Sequence, residues 1–248
     1  MQIEYAKVSA LGDRQDNQDR AAVVASDSAA MLLVFDGMGG HSDGAMAAEL
    51  GLKVVQELFV AARQPIFDPQ GFLYMALSRA HDAVVEMGRE IAVDFRPRAT
   101  CAICLIQEGG AFWAHIGDSR IYHIRDSVVL SRSRDHSHVE VLIQEGAITE
   151  EEAQDHPMRN FVECCIGGDV PVPDMSITSK KSLEYGDVLL SCSDGLWSGL
   201  TDNDIATIGE PGDQNLAENL KALSLKALEI NSPHSDNTTA TALRWFGI

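Results

Sequence analysis

The sequence of 248 residues predicts an α+β protein in which antiparallel β-sheets carry helices on their outer faces. Short runs rich in β-branched and aromatic residues recur along the chain, and longer stretches with apolar residues at helical spacing lie between some of them. Several strand-like runs follow one another directly. Because strands and helices do not alternate, the order favours antiparallel sheets over a doubly wound parallel sheet.

Seven runs are typical of strands because they are short and bounded by Gly, Asp or Ser. In chain order they are AAVVAS (21–26), MLLVF (31–35), CAICLI (101–106), AFWAHI (111–116), RIYHIR (120–125), DVLLSCS (187–193) and TTATALRW (238–245). Helical spacing of apolar residues predicts helices over 44–63, 72–91 and 214–230, with a shorter one over 137–146. Thr149 and Glu152 form a capping-box pattern, which predicts a further helix start at 149–153.

The composition bounds the class of protein. The chain carries 19 Lys and Arg against 37 Asp and Glu, a net charge of −18, and 45% of its residues are apolar. Such a chain can bury a large core, and its charge balance disfavours nucleic acid or an anionic membrane as a partner. No apolar run approaches the length of a membrane span, and the N-terminus has no apolar signal core. We therefore expect a cytoplasmic protein, with one domain over 1–248.

The five cysteines form neither a disulfide framework nor a metal-ligand pattern. Cys101 and Cys104 are three residues apart in a strand-like run, so their side chains should point to opposite faces. Burial is therefore favoured over a zinc or redox pair. The role of Cys164 and Cys165 stays open.

Five carboxylates lie where strand-like runs begin or end. Asp36 and Asp194 each end an apolar run and precede a glycine, and Asp118 lies in the turn GDSR. Asp19 comes just before the first strand-like run, and Asp236 is expected to begin the last strand. Each alone suits a turn. Gathered together they would repel one another unless cations lay among them, and Mg²⁺ and Mn²⁺ prefer oxygen ligands. The pattern predicts a metal site, where the glycine after Asp36 lets a backbone carbonyl turn toward a metal.

Six motifs, in this order, resemble the metal-dependent protein phosphatases, the type 2C serine/threonine phosphatases, and in particular their free-standing bacterial members. They are RQDNQDR, VFDGMGGHSDG, GDSRIY, DHSHVEVLIQEGAITEEEAQDHPMRN, SDGLW and DNTTATAL. The resemblance covers nearly the whole chain. It implies a four-layer α-β-β-α sandwich, with two antiparallel sheets flanked by helix pairs and a small flap insertion at about 136–175.

The same resemblance implies an activity and partners. The reaction would be hydrolysis of phosphoserine and phosphothreonine in proteins by a hydroxide that bridges two Mn²⁺ or Mg²⁺ ions. The implied partners are phosphoprotein substrates and a cognate serine/threonine kinase. Members are mostly monomeric, so a monomer is expected.

Roles for individual metal-site residues follow from their positions in these motifs. By resemblance, Asp36 bridges the two metals and the carbonyl of Gly37 binds one of them. Asp194 and Asp236 bind the other metal. Asp19 holds metal-bound water or ligates weakly.

The resemblance also assigns a phosphate-binding residue and leaves one role open. Arg14 should bind the substrate phosphate, for which a guanidinium offers a bidentate fork. Asp118 should help to bind a third, weaker metal that shares Asp194. Met38 stands where some relatives have a histidine that protonates the leaving group, so that acid is unassigned. His41 is nearby in sequence, but a structural role for it is favoured.

The flap-like insertion contains three histidines, His136, His138 and His156. Their spacing fits no standard zinc pattern, and a flap-facing or capping role is favoured. The flap itself is expected to influence substrate choice, because loops beside a rigid site usually do.

Two other readings of the sequence compete with an active phosphatase. A catalytically silent relative would bind phosphoproteins as a regulatory module, but such proteins typically lose metal carboxylates, and this chain keeps Asp36, Asp194 and Asp236. An acidic cation-binding module without catalysis would leave Arg14 and the flap-like insertion unexplained.

Overall fold

The computed structural model describes residues 1–38, 42–210 and 215–247. Within these ranges the strands, in chain order, are β1 (Gln2–Ala10), β2 (Asp19–Ala25), β3 (Ala29–Met38), β4 (Arg98–Gln107), β5 (Gly110–Ile116), β6 (Arg120–Arg125), β7 (Val128–Arg132), β8 (Ile166–Gly167), β9 (Ser176–Ile177), β10 (Lys181–Ser182), β11 (Val188–Cys192) and β12 (Thr238–Gly247). The helices are α1 (Ser42–Ala61), α2 (Pro69–Met87), α3 (His138–Gln144), α4 (Glu150–Gln154), α5 (Asp194–Trp197), α6 (Asp202–Ala206) and α7 (Leu216–Asn231), with single 3₁₀ turns at Val93–Phe95 and Thr207–Gly209.

The strands form two antiparallel sheets. One sheet has the order β1-β12-β11-β6-β7, so that the first and last strands of the chain pair with each other. The other has the order β10-β5-β4-β3-β2, and the short strands β8 and β9 add to β4 and β5. The predicted succession of antiparallel strands is therefore present in both sheets.

Alternation along β3 shows how the sheets and helices are layered. Met31, Leu33 and Phe35 are fully buried in a cluster with the apolar faces of α1 and α2. Ala30 and Leu32 point the other way, into a second cluster shared with the opposite sheet. This period of two is what a strand buried on both faces requires.

The opposite sheet repeats the arrangement. Val188 and Leu190 of β11 pack toward Leu220 of α7, whereas Leu189 faces the core between the sheets. The layers thus run helix, sheet, sheet, helix, and the predicted α-β-β-α sandwich is confirmed. The second outer layer is one long helix, α7, accompanied by the short helices α5 and α6.

The local predictions agree with the observed helices. The helices expected over 44–63 and 72–91 are α1 and α2, and the one expected from residue 214, which lies outside the described residues, is α7. Thr149 and Glu152 exchange side-chain and backbone hydrogen bonds as a capping box at the start of α4, as predicted. The strands β1 and β7 and the short helices α5 and α6 were not predicted.

Cys101 and Cys104 are buried, as their spacing in a strand predicted. Cys101 is buried on the helix side of β4 and Cys104 in the core between the sheets, so the two thiols lie on opposite faces. All five cysteines are free. In the part of the chain that the structure describes, no helix is long and apolar enough to cross a membrane.

Candidate metal centre

A cleft of about 480 Å³ opens at one end of the sandwich and is lined by residues from both sheets. The predicted site residues that line it are Arg14, Asp36, Gly37, Asp118, Asp194 and Asp236. The remaining predicted residue, Asp19, is 3% exposed and lies directly opposite Asp36 in the β2–β3 pairing. The structure therefore brings all seven together, and the convergence of strand ends predicted this for the five carboxylates.

The secondary structure around these carboxylates differs in detail from the prediction. Asp36 does not end its strand, because β3 continues to Met38, and Asp19 is the first residue of β2 rather than preceding the first strand. Asp194 begins the helix α5, and Asp236 lies two residues before β12. Such shifts are small because helix and strand boundaries depend on hydrogen bonds that a sequence pattern does not show.

The glycines after Asp36 and Asp194 are required by close packing of backbones. A Cβ on Gly37 would lie 2.2 Å from the carbonyl oxygen of Gly44 in α1, and a Cβ on Gly195 would lie 2.1 Å from the carbonyl oxygen of Asn237. No side chain fits at such distances. The two Asp-Gly pairs thus mark places where a second segment approaches the site, a reason that the sequence alone did not reveal.

Asp236 is held between a guanidinium and a backbone amide. Arg14 Nη2 donates to Asp236 Oδ2 at 2.6 Å, and the Asn237 N–H donates to Asp236 Oδ1 at 2.7 Å. The charges of Asp236, Asp194 and Asp36 raise the pKa of Arg14, with the hydrogen bond to Asp236 as the largest cause. Arg14 nevertheless keeps 61% of its side chain exposed, so its fork stands at the mouth of the cleft.

Asn237 organises the loop that carries Arg14, a role that sequence reasoning missed. Its Oδ1 accepts from the Gln18 N–H at 2.8 Å, and its Nδ2 donates to the carbonyls of Leu11 at 2.8 Å and Asp16 at 3.1 Å. One buried amide thereby fixes both ends of the loop. The only available signal was its place directly after Asp236 in the motif DNTTATAL.

Asp19 joins the two sheets beneath the cleft. Its Oδ2 accepts a hydrogen bond from Ser193 Oγ at 2.8 Å, across the interface between the sheets. Its Oδ1 is buried and has no partner within the described part of the protein. Burial raises the pKa of Asp19 to about 7 against the opposing hydrogen bonds from Ser193 and Thr239. A buried carboxylate oxygen without a partner requires a cation or an ordered water.

The other carboxylates are also energetically strained at neutral pH. Burial, followed by the charge of Asp236, raises the pKa of Asp194 to about 6. Burial and the surrounding carboxylates also raise the pKa of Asp36 and of Asp118 well above 3.8. Like charges gathered out of water disfavour ionisation unless positive charge is supplied. The set of oxygen donors and its excess negative charge fit divalent cations such as Mg²⁺ or Mn²⁺.

The carboxylates alone do not make a complete coordination shell. Among the described residues, no three or more His, Cys, Asp or Glu side chains are arranged to enclose a metal ion. Cations here would also draw on backbone carbonyls, such as that of Gly37, and on water. Mg²⁺ and related ions keep several waters and need few protein ligands, so this donor set suits them.

Residues from β4 and from the flap-like insertion complete the cleft. Thr100, Asn160 and Val162 line it, and none of them was predicted. Of the described residues that line the cleft, none is a histidine, so no imidazole replaces the one absent at Met38. His41 lies outside the described residues.

The three flap histidines have structural contacts. His136 accepts from the Gly117 N–H through Nδ1 and bonds Ser176 Oγ through Nε2, and His156 Nδ1 accepts from the Met158 N–H. His138 is the first residue of α3 and lies 3.4 Å from Glu163. These contacts agree with the capping and flap-facing roles expected, and no zinc-type grouping occurs among the described residues.

Comparison with known protein families identifies the family of this chain. The family described as protein phosphatase 2C matches residues 8–228. Because the match covers most of the sequence, the chain belongs to the protein phosphatase 2C family, whose members are metal-dependent hydrolases.

Three relatives show the extent of the similarity. A protein phosphatase 2C-type protein of Streptococcus pyogenes serotype M6 is 36% identical over 186 residues, or 72% of each chain. The solved serine/threonine phosphatase of S. agalactiae is 28% identical with a TM-score of 0.84, covering 98% of this chain and 99% of that one. The catalytic domain of the serine/threonine protein phosphatase PstP, in complex with two manganese ions, is 27% identical with a TM-score of 0.81, covering 99% of both chains.

These similarities confirm the predicted family, fold class and enzyme class. They also support the predicted cofactor of two Mn²⁺ or Mg²⁺ ions, because the PstP domain binds two manganese ions. The roles of individual residues and the third metal remain predictions.

Proposed function

We propose that this protein removes phosphate from phosphoserine and phosphothreonine in proteins, by the hydroxide-bridged two-metal route that the sequence motifs imply. The observation that carries the proposal is the cleft in which Asp36, Asp194 and Asp236 face Arg14. Carboxylates that can hold cations and a guanidinium that can hold phosphate are the two requirements of metal-assisted phosphoester hydrolysis. The two solved relatives, from S. agalactiae and PstP, are serine/threonine phosphatases, which supports the same substrate class.

The residues divide into two groups around the cations. Asp36 lies opposite Asp19 in the β2–β3 pairing, and the charges of Asp19 and Asp194 both act on it. It would suit a carboxylate that two ions share, with the Gly37 carbonyl next to it in the chain. Asp194 and Asp236 come from the opposite sheet and suit the second ion. When bound, the two cations supply a water activated at neutral pH and neutralise charge on the phosphoryl oxygens.

Arg14 orients the substrate. Its guanidinium stands exposed at the mouth of the cleft and already bonds one carboxylate oxygen of Asp236. A phosphoryl group that replaces this carboxylate can receive two parallel N–H bonds. Phosphate binding to Arg14 would thereby free a carboxylate oxygen of Asp236, which would be available to hold a cation.

Water is the proposed nucleophile, and the described cysteines of the strands agree with this. Cys101, Cys104 and Cys192 are buried, and burial raises the pKa of each thiol, so none of the three is a reactive thiolate. No histidine is among the described residues that line the cleft, and the acid that protonates the leaving oxygen is unassigned, with water as one candidate. We propose that the phosphate removed is placed on its targets by a serine/threonine kinase.

The direct test is phosphate release from a phosphothreonine peptide with Mn²⁺ and with EDTA. We expect turnover that requires the cation and stops on chelation, because in the proposed route the cations lower the pKa of the attacking water and neutralise charge on the phosphoryl oxygens. Circular dichroism in EDTA would show that the protein remains folded. If the folded, Mn²⁺-loaded protein releases no phosphate from phosphothreonine or phosphoserine peptides, the proposal is wrong and a silent phosphoprotein-binding module becomes the preferred reading.

Substitution of Arg14 tests the phosphate-binding role. Hydrogen bonds to charged groups contribute about 1.5–3 kcal/mol, so Arg14→Ala should lower kcat/KM by roughly 10–100-fold. Arg14→Lys keeps the charge but loses the fork and should recover only part of this loss. Steady-state kinetics at saturating Mn²⁺ would measure both.

The matched control for Arg14 is Arg89→Ala, which removes an exposed arginine paired only with Glu86 and absent from the cleft lining. It should leave kcat/KM unchanged. Equal kcat/KM values in wild type and Arg14→Ala would contradict the assignment.

A further inference from the structure

The turn between β5 and β6 that presents Asp118 is held from three directions. The Asp118 carbonyl accepts a hydrogen bond from Trp197 Nε1 at 2.9 Å. Ser119 Oγ bonds Thr100 Oγ1 on β4 at 2.7 Å, and the Gly117 carbonyl accepts from the His136 N–H at 2.9 Å. The backbone of the turn is therefore fixed although its carboxylate faces a repulsive environment.

Trp197 is itself held by a buried ion pair. The guanidinium carbon of Arg120 lies 3.4 Å from the centre of the Trp197 ring, a stacked cation–π contact. Arg120 donates through Nε and Nη2 to the two oxygens of Asp135, both at 2.8 Å. Asp135 is 7% exposed. Because both ends of this fork are engaged, the guanidinium plane and the indole packed on it have one available arrangement.

The same short helix carries a site carboxylate and this indole. Asp194 is the first residue of α5 and Trp197 the last, so one helical turn separates them. The indole N–H therefore ties the Asp118 turn to the helix that presents Asp194. Asp118 and Asp194 repel each other at short range, and the bond opposes their separation.

We propose that Trp197 is a positioning residue: it fixes the Asp118 turn relative to Asp194, so that the two carboxylates can share a divalent cation. The inference rests on the proposed function in one respect: the divalent cation that it invokes is the third, weaker metal expected at Asp118. A site on two segments from different strands needs such a tie, since partners behind the ligands set both their orientation and the affinity of the metal. Arg120 and Asp135 act through Trp197 by fixing its ring.

The test compares Trp197→Phe with Trp245→Phe by calorimetric titration with Mn²⁺. The phenyl ring keeps the stack under Arg120 but has no N–H donor. Trp245 is a buried indole in the core between the sheets and absent from the cleft lining, and it serves as the matched control. We expect Trp197→Phe to weaken the weaker class of Mn²⁺ binding by about 10-fold or more, as for other residues that support ligands, and to leave the tighter class unchanged.

A double substitution separates positioning from general loosening. In an Asp118→Asn background, Trp197→Phe should have no further effect on Mn²⁺ binding, because its action passes through Asp118. An isotherm for Trp197→Phe that coincides with that of Trp245→Phe would overturn the proposal. So would the same loss of affinity with and without Asp118.

Two further measurements keep the test informative if Trp197→Phe does not fold or if the protein releases no phosphate. If Trp197→Phe does not fold, Arg120→Lys, which loses the fork to Asp135 but keeps the indole, should shift Mn²⁺ binding in the same direction, and an unchanged isotherm would count against the proposal. Since calorimetry needs no turnover, a protein that releases no phosphate yet shows this shift would refute the proposed activity and retain the positioning role. In an active protein, the KM for phosphopeptide should stay constant, because Arg14 is untouched.

Discussion

Replacing Asp194 with asparagine is expected to lower phosphate release by about 10³-fold or more and to raise the melting temperature of the metal-free protein. The first effect follows because a cation contributes several kcal/mol of charge stabilisation to the reaction, and each 1.36 kcal/mol is tenfold in rate. The second follows because burial, and then the charge of Asp236, raises the pKa of Asp194 to about 6, so its ionised form is destabilising at neutral pH.

The stability of the metal-free protein should rise as the pH falls from 8 to 5. An acid whose pKa is raised on folding destabilises the folded protein when ionised, so the penalty is present above pH 6 and is relieved as the pH falls toward 4. Asp19, with a pKa of about 7, behaves in the same way. In EDTA, the wild type should therefore gain stability between pH 8 and pH 5, and Asp194→Asn should gain less.

Thermal unfolding in EDTA and in Mn²⁺ at these two pH values would measure both effects. Each kcal/mol of repulsion relieved should appear as roughly 2–4 °C in melting temperature. Mn²⁺ should stabilise the wild type more than the variant. Asp82→Asn, which makes the same charge change on an exposed face of α2, is the control. Lower stability of Asp194→Asn than wild type in EDTA at pH 8 would show that the carboxylate is not strained.

Removal of Asp187 is expected to cost about 3–5 kcal/mol of folding free energy, a large part of the roughly 5–15 kcal/mol that keeps a domain folded. Asp187 is completely buried. It accepts two hydrogen bonds from Arg125, at 2.7 and 2.8 Å, and further bonds from His123 at 2.8 Å and from the Glu184 N–H at 2.9 Å. Asp187→Ala would leave the imidazole of His123 without this acceptor and the guanidinium of Arg125 with only the exposed Glu184 as a carboxylate partner among the described residues.

Low pH should reduce the difference in folding free energy between wild type and Asp187→Ala. Burial alone would raise the pKa of Asp187, but the hydrogen bonds from Arg125, Glu184 and His123 lower it below 3.8. A lowered pKa contributes stability above the unfolded value, and that contribution is lost as the pH falls through the folded one. The gap between wild type and Asp187→Ala should accordingly narrow below about pH 4.

Urea denaturation at pH 7 and pH 3.5 would measure the gap. The control is Glu57→Ala, which breaks an exposed ion pair with Lys53 on α1 and should cost less than about 1 kcal/mol. Asp187 bonds Arg125 at the last residue of β6, whereas the cleft lies near the first residue of that strand, Arg120. Activity per folded molecule should therefore be unchanged, and a cost near that of Glu57→Ala would contradict the expected role.

The elements that the sequence predicted are those whose burial pattern is strong. The three long helices and the central strands place apolar residues at regular spacing, and burial follows that spacing. β1 was missed because only Ala6 of its nine residues is buried, and the charged Glu4 and Lys7 interrupt its apolar pattern. α5 and α6 have four and five residues, too few to show a helical period.

The sequence predicted which types of residue form the site, and it did not predict the hydrogen bonds that hold them in place. Strand ends and oxygen-donor chemistry indicated which carboxylates gather. Neither could show that Arg14 bonds Asp236, that Asn237 holds the Arg14 loop, or that Trp197 reaches the Asp118 turn, because each contact joins segments far apart in sequence. Only the three-dimensional fold supplies such pairings.

The pairing of β1 with β12 has a consequence for how the protein is made. Asp36 and Asp236 are 236 − 36 = 200 residues apart. At about 5–20 residues per second, a ribosome needs ~10–40 s to travel from one to the other. Throughout that interval Arg14 lacks Asp236, with which it forms its hydrogen bond, and β1 lacks β12, its partner strand. Synthesis itself therefore delays assembly of the cleft, because the two ends of the chain meet only after β12 has been made.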